Sequence, residues 1–119
     1  MSDMAEVKYT YKATVLRWID GDSVWLEVDL GFRMKTINDF RLYGVDTPER
    51  GQPGYAEAKA FVEKLSPAGT EVMIETYKNP DKYGRWLAEV SMSDEHFTFT
   101  VNTELINAGL AVNYFGGRK

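Results

Sequence analysis

Alternating aliphatic side chains in residues 24–30 place the strongest limit on what this chain can fold into. Every second residue of that segment is Val or Leu, and the residues between them are Trp, Glu and Asp. A period of two is typical of a β-strand with one face against a core and the other toward water. The preceding Asp20-Gly21-Asp22 has the composition of a tight hairpin turn, and residues 9–18 are rich in β-branched and aromatic side chains. We therefore predict an antiparallel hairpin near the start of a β-rich domain.

Further strand-like segments follow the hairpin. Each combines alternating apolar residues with turn-forming residues at its ends. They lie at 34–45, 71–77 and 85–92, with a short hairpin partner for the last at 97–101. We predict about five principal strands.

Two helices are predicted between and after these strands. Apolar residues recur at helical spacing over 55–65, which predicts about three turns. A shorter helix is predicted over 104–108, with Asn102 or Thr103 as its N-cap and Gly109 just past its end.

The order of elements fits a β-rich α+β fold. A five-stranded Greek-key barrel of the OB type accommodates a helix after the third strand and a short C-terminal helix. Residues 1–8 are polar and mixed, which predicts a flexible N-terminal arm, and 9–119 then form a single domain. Barrels of this type bind oligonucleotides in some proteins, but a fold alone does not give a function.

Composition excludes several kinds of site. The chain has no cysteine and one histidine, His96, so thiolate metal sites, cysteine nucleophiles and multi-histidine metal sites are excluded. A metal would be held mainly by oxygen, which favours calcium, magnesium or manganese. The net charge of −4 argues against a protein that coats nucleic acid through a basic surface. It leaves open an enzyme with a locally positive site.

The segment 40–49, Phe-Arg-Leu-Tyr-Gly-Val-Asp-Thr-Pro-Glu, has the composition of a strand that ends in a turn. Its arginine and two carboxylates suit a metal-assisted attack on a phosphate diester, which requires anionic metal ligands, a carboxylate base and a guanidinium. The alternative is a surface ion pair between Arg41 and Glu49 beside an ordinary loop. Arg41 and Asp46 are five residues apart, so a flat strand would place them on opposite faces. A shared site therefore requires a bend, which we predict at Gly44–Val45.

Two other turns carry charged residues. Asp20 and Asp22 have the same strand parity, so we expect at most one of them to face a site. Gly21 between them suits a positive φ, and a purely structural turn is the alternative. Residues 78–85, Lys-Asn-Pro-Asp-Lys-Tyr-Gly-Arg, contain three cationic side chains and are the stretch of the chain best suited to bind phosphate. The alternative for them is a solvated, charged hairpin loop.

Taken together and in this order, the motifs resemble the staphylococcal nuclease family. Those that carry the resemblance are Asp-Gly-Asp-Ser at 20–23, Phe-Arg-Leu with Val-Asp-Thr-Pro-Glu within 40–49, and Asp-Lys-Tyr-Gly-Arg at 81–85. Similarity continues into 101–105 and 109–111, so it covers roughly residues 12–114. The loop after Glu49 is short and the family's long C-terminal helix is absent, so we expect a compact variant.

The resemblance implies a calcium-dependent phosphodiesterase that cuts DNA, RNA or both and leaves 3′-phosphate ends. By motif position it implies these roles: Asp22, Asp46 and the Thr47 carbonyl as calcium ligands; Glu49 as the base or its orienter; Arg41 and Arg85 on the phosphate; Lys82, Tyr83 and Tyr114 on the substrate. The alternative is a catalytically weak or inactive barrel that binds nucleic acid or protein.

Association and location follow as expectations. We expect a monomer that uses DNA or RNA as substrate and has no membrane partner. No apolar run reaches the length of a membrane span, and the first residues lack the pattern of a signal peptide. We therefore expect a cytoplasmic or intracellular protein, unless a leader has been removed.

Overall fold

The two long strands at the start of the chain form the predicted hairpin. β1 (Tyr9–Asp20) pairs antiparallel with β2 (Ser23–Gly31), with Val15 opposite Leu26. The computed structural model describes residues 9–77, 84–93 and 98–114, so the arm predicted at 1–8 lies outside the described residues.

Five strands close into a barrel. β3 (Met34–Leu42) continues the sheet from β2, while β5 (Glu71–Thr76) lies on the other side of β1 and pairs with β6 (Trp86–Ser93). A short parallel pairing between β3 and β6 joins the two edges of the sheet. A three-residue strand, β7 (Thr98–Thr100), pairs with β6. The five-stranded barrel of the OB type is therefore confirmed.

The inward faces of the strands form the core. Val24, Leu26 and Val28 are at most 2% exposed, as the alternation in β2 predicts. Leu30 continues that face but is 39% exposed, since β1 pairs with β2 only as far as Asp29. Most of the remaining core comes from other inward-facing side chains: Ala13, Val15, Phe40, Leu42, Val62, Val72, Ile74, Ala88, Val90 and Leu105.

The first helix covers the predicted residues. α1 (Tyr55–Leu65) contacts β1, and its residues Ala58 and Val62 are fully buried. Just after the helix, the backbone carbonyl of Ser66 accepts a hydrogen bond of 2.8 Å from the indole N–H of Trp18. The helix is thus attached to the strand that leads into the Asp20–Asp22 turn.

The third strand is interrupted at the predicted bend. β3 ends at Leu42, Gly44 adopts a φ of 80°, and the chain then continues as β4 (Val45–Asp46). The irregularity is confirmed, and a single strand over 34–45 is wrong at its end. β4 pairs instead with β8 (Val112–Asn113). Two-residue strands carry no periodicity, so the sequence did not indicate this pairing.

The second helix begins earlier than predicted. α2 (Val101–Asn107) has Thr100 as its N-cap, because the Thr100 hydroxyl accepts a 3.0 Å hydrogen bond from the Thr103 N–H. The predicted caps, Asn102 and Thr103, both lie inside the helix, and Val101 is its first residue rather than part of a strand. The alternation of Phe and Thr before the helix obscured this boundary.

The end of α2 agrees with the sequence. Gly109 follows the helix with a φ of 75°, and its N–H donates to the carbonyl of Ile106 at 3.0 Å. A left-handed glycine at this position is a common helix end. In the part of the chain that the structure describes, neither helix is long and apolar enough to cross a membrane.

Candidate active site

Asp22 lies at the centre of the candidate site, in the tight turn between β1 and β2. It is 8% exposed, and its Oδ2 accepts a hydrogen bond from the backbone N–H of Thr47 at 3.2 Å. The Ser23 hydroxyl donates to its Oδ1 at 3.3 Å. Burial raises the pKa of Asp22, while the Arg41 guanidinium and the Thr47 N–H oppose that rise. The carboxylate is therefore desolvated but has charged and polar partners.

Arg41 contacts both Asp22 and Asp46, the two aspartates that the family resemblance implies as calcium ligands. Its Nη2 donates to Asp22 Oδ2 at 3.3 Å and to Asp46 Oδ1 at 3.0 Å. The pairing of β2 with β3 places Arg41 opposite Ser23, beside the turn that holds Asp22. The bend after β3 brings Asp46 back to the same side. The guanidinium also lies 5.4 Å from the ring centre of Tyr114.

Thr47 and Gly21 explain why this turn approaches the 40–49 segment so closely. A Cβ atom at Gly21 would lie 2.8 Å from Ala58 Cβ and 3.1 Å from Thr47 Cγ2. Gly21 does not have a positive φ, so the predicted reason for this glycine is wrong. Glycine is required here for space between α1 and Thr47 rather than for backbone freedom. The Thr47 hydroxyl is buried and has no hydrogen-bond partner among the described residues.

Arg85 extends the network from the start of β6. Its Nη1 donates to the Ser23 hydroxyl at 3.3 Å, and Ser23 in turn donates to Asp22. The two arginines predicted to bind phosphate thus reach the same turn from different strands. Lys82 and Tyr83, predicted to contact the substrate, lie outside the described residues.

Glu49 lies at the edge of the site with an exposed side chain. Its backbone is held by Gln52, whose side-chain Oε1 accepts from the Glu49 N–H at 2.9 Å. The Gln52 N–H donates to the Glu49 carbonyl, also at 2.9 Å. Within the described residues, Glu49 does not pair with Arg41, so the alternative of a surface ion pair between these two is wrong.

Asp20 is hydrogen-bonded to Tyr55 rather than to the Asp22 cluster, which agrees with the expectation that at most one of the two aspartates faces the site. It accepts a 2.6 Å hydrogen bond from the hydroxyl of Tyr55. That hydrogen bond raises the pKa of Tyr55. The guanidinium of Arg50 lies 5.6 Å from the centre of the Tyr55 ring. Asp20 thus contacts the start of α1 rather than the metal candidates.

The oxygen atoms of the site suit a hard cation. Among the described residues there is no cluster of three or more His, Cys, Asp or Glu side chains that could hold a metal. The carboxylates of Asp22 and Asp46 both contact the Nη2 atom of Arg41, and the backbone N–H of Thr47 donates to Asp22. Calcium accepts a mixture of carboxylate, carbonyl and water ligands in irregular geometry. An oxygen donor set of this kind suits calcium, magnesium or manganese better than zinc or copper.

Three contributors to the site were missed at the sequence level. Gln52 holds the Glu49 backbone, and Ser23 links Arg85 to Asp22. Asn102, which lies in α2, donates to the carbonyl of Tyr43 at the bend after β3. The Gln52 contact has a local signal, since it closes a turn of four residues that begins at Glu49. The other two contacts join residues far apart in the chain and have no pattern in the sequence.

Comparisons with known proteins agree with these motifs. The family model described as Staphylococcal nuclease homologue matches residues 39–119. A thermonuclease of Staphylococcus intermedius is 37% identical over 103 residues, covering 82% of this chain and 56% of that protein. An uncharacterized protein of Methanocaldococcus jannaschii is 33% identical over 129 aligned positions, covering 87% of this chain and 59% of that protein. The chain thus spans less than two thirds of the length of these curated relatives.

Proposed function

This chain belongs to the staphylococcal nuclease family, and we propose that it hydrolyses the phosphodiester bonds of DNA or RNA. The proposed reaction depends on calcium, uses water as nucleophile and leaves 3′-phosphate ends. A relative named thermonuclease supports the choice of substrate class.

The observation that carries the proposal is the double contact of Arg41. A single guanidinium nitrogen lies within 3.3 Å of Asp22 and within 3.0 Å of Asp46. Arg85 reaches the same cluster through Ser23. Two carboxylates and two guanidiniums around one turn are the groups that a metal-assisted phosphoryl reaction requires.

Calcium would be held by the carboxylates of Asp22 and Asp46 and by the backbone carbonyl of Thr47. A divalent cation, when bound, polarises a phosphoryl oxygen and orients the nucleophile. The N–H of Thr47 donates to Asp22 and fixes the direction of that carboxylate. Ser23 holds the other oxygen of the same group.

The remaining residues act on the water and the phosphate. Glu49 accepts a proton from the attacking water, or orients that water, and its exposed carboxylate is open to solvent. Arg41 and Arg85 hold the phosphate and stabilise negative charge as it becomes pentacoordinate. Tyr114, beside Arg41, lies near the nucleotide, and Lys82 and Tyr83 contact a neighbouring phosphate.

A second candidate function is a barrel that binds nucleic acid or protein without cleaving it. Arg41 already forms ion pairs with both aspartates, so the cluster is also consistent with a purely structural ion network. Against this candidate, the chain has every residue type that the proposed reaction needs: Asp22, Arg41, Asp46, Glu49 and Arg85. We therefore favour the enzyme.

Digestion of single-stranded and plasmid DNA tests the proposal. We expect cleavage at low salt with calcium and none with chelator, and 5′-hydroxyl product ends that accept phosphate from a polynucleotide kinase. Glu49→Gln should slow cleavage by about 10²–10⁴-fold, because the variant loses its proton acceptor. Glu63→Gln, the same change at an exposed position on α1, is the matched control and should cleave like the wild type.

The two possible failures have different meanings. Absence of cleavage by the wild type with calcium at low salt would contradict the enzyme and favour the binding module. Cleavage by Glu49→Gln at the wild-type rate would instead reject only the role assigned to Glu49.

A further inference from the structure

The barrel has a second concave site, at the mouth formed by the start of β1 and the end of β5. This cavity has a volume of about 410 Å³, within the range of small-molecule sites. Val28 and Phe40, both nearly fully buried, close it from the inside. Its inner end is therefore a packed core, and its outer end opens to solvent.

Half of the described residues that line the barrel-mouth cavity are aromatic. Tyr9, Tyr11, Tyr77 and Trp86 all line it. Tyr9 is 41% exposed and Trp86 is 39% exposed, so a ligand can reach both rings. Flat, accessible rings are the surfaces on which nucleobases stack.

The polar groups of the cavity are neutral and few. None of the described residues that line it carries a charge. The side chain of Asn38 lies at the wall, and its Nδ2 donates to the Thr36 hydroxyl at 2.9 Å. That bond uses one of the two amide hydrogens, which leaves the other hydrogen and Oδ1 for a ligand. An amide edge beside aromatic rings matches the hydrogen-bonding edge of a base and has no counter-charge for a phosphate.

The cavity and the candidate active site share one wall of the barrel. Phe40 and Trp86 pair across β3 and β6 and face the cavity, whereas their chain neighbours Arg41 and Arg85 contact the Asp22 cluster. Tyr77 lines the cavity and also stacks on Tyr43 with ring centres 4.1 Å apart. Neighbouring residues of the chain, Phe40 with Arg41 and Trp86 with Arg85, thus contribute to the cavity and to the candidate active site.

We propose that the barrel-mouth cavity binds an unpaired nucleobase of the same single-stranded nucleic acid whose phosphate lies at Arg41 and Arg85. This inference rests on the proposed function for its substrate class. It adds a base contact outside the phosphate site, and that contact is open only to an unpaired base, because a paired base has no free edge or face for the cavity.

Binding of a fluorescent single-stranded thymidine dodecamer in chelator and at low salt tests the base site without cleavage. Trp86→Ala should weaken binding by about tenfold, since stacking on one aromatic ring contributes about that factor. Trp86→Phe keeps a ring and should lose at most about threefold. Phe32→Ala is the matched control, because Phe32 is an exposed aromatic residue outside the lining of the cavity, and it should bind like the wild type.

An abasic dodecamer separates stacking from a general loss of structure. Wild type and Trp86→Ala should bind it equally, since it has no base for the cavity. The proposal is overturned if Trp86→Ala binds the thymidine dodecamer like the wild type. It is also overturned if the substitution weakens binding of the thymidine and abasic dodecamers equally. Sedimentation that shows a dimer dissociated by Trp86→Ala would assign the mouth to a second copy of the chain instead. Wild-type protein that binds bases but cleaves nothing with calcium would contradict the proposed function alone.

Discussion

At the scale of single residues, Asp22 and Arg41 show how the site holds charge in a small space. Asp22 is almost completely buried, and its charge is tolerated because a guanidinium, a hydroxyl and a backbone N–H all contact it. Removing one partner of such a group leaves a desolvated charge, which usually costs more than the contact contributes. The side chains around Asp22 therefore form a unit that is sensitive to change at any member.

Tyr77 provides a residue-scale prediction about pH. Burial, followed by the negative charges of Glu89 and Glu75, raises the pKa of Tyr77 to about 12. An unfolded chain releases that proton near pH 10, so the folded state binds more protons above this pH. The contribution of Tyr77 to the free energy of unfolding is complete below about pH 10 and is lost as the pH rises to about 12.

Unfolding by guanidinium chloride, compared between the wild type and Tyr77→Phe at several pH values between about 9 and about 11, measures this effect. We expect the wild type to lose stability faster than the variant above about pH 10. Subtracting the ultraviolet phenolate titration of Tyr77→Phe from that of the wild type gives the titration of Tyr77, which should have its midpoint near pH 12. Parallel stability curves for the two proteins would contradict the prediction.

At the scale of elements, α2 supports the bend that carries Asp46. Asn102 lies in the first turn of that helix, and its Nδ2 donates to the carbonyls of Tyr43 at 2.8 Å and Ala88 at 3.3 Å. Its Oδ1 accepts from the Val90 N–H at 3.1 Å. One side chain thus joins the helix, β6 and the turn after β3.

Asn102→Ala should therefore destabilise the protein by about 2–4 kcal/mol, because buried backbone groups lose their partner. The midpoint of urea unfolding, at an unchanged slope, measures this loss. Asn107→Ala is the matched control on the same helix, since Asn107 is exposed, and it should change stability by less than about 0.5 kcal/mol. Equal midpoints for the two variants would show that Asn102 does not support the bend.

At the scale of the whole molecule, a bound cation would stabilise the fold because its ligands come from separate parts of the chain. Asp22 lies in the β1–β2 turn, whereas Asp46 and Thr47 follow the bend after β3. An unfolded chain does not hold these oxygens together, so binding favours the native state.

Calcium at about one hundred times its Kd should raise the free energy of unfolding by about 2.7 kcal/mol. Thermal unfolding with calcium and with chelator measures the shift without any substrate. Asp46→Asn should abolish most of the shift, because it removes one of the two carboxylates. Asp39→Asn, the same change on β3 at a residue outside the proposed ligand set, should keep it. A full calcium shift in Asp46→Asn would exclude Asp46 as a ligand.

Features that depend on neighbouring residues could be predicted from the amino-acid sequence. Alternation in β2, helical spacing in α1 and the five-residue separation of Arg41 and Asp46 are local patterns, so the long strands, the first helix and the bend at Gly44 could be predicted, whereas the two-residue strands β4 and β8 could not. The ordered motifs also predicted Asp22, Arg41, Asp46 and Arg85 as one site, and the fold brings these four residues together.

The contacts among those residues, and the side chains around them, became visible in the folded protein. It showed that Gly21 is required for space against Ala58, that Ser23 links Arg85 to Asp22, and that Asn102 is a buried support rather than a cap. It also showed the aromatic cavity at the barrel mouth. Each of these features joins residues that are distant in the chain. Their contacts depend on how strands and helices pack in three dimensions, and local sequence patterns do not predict that packing.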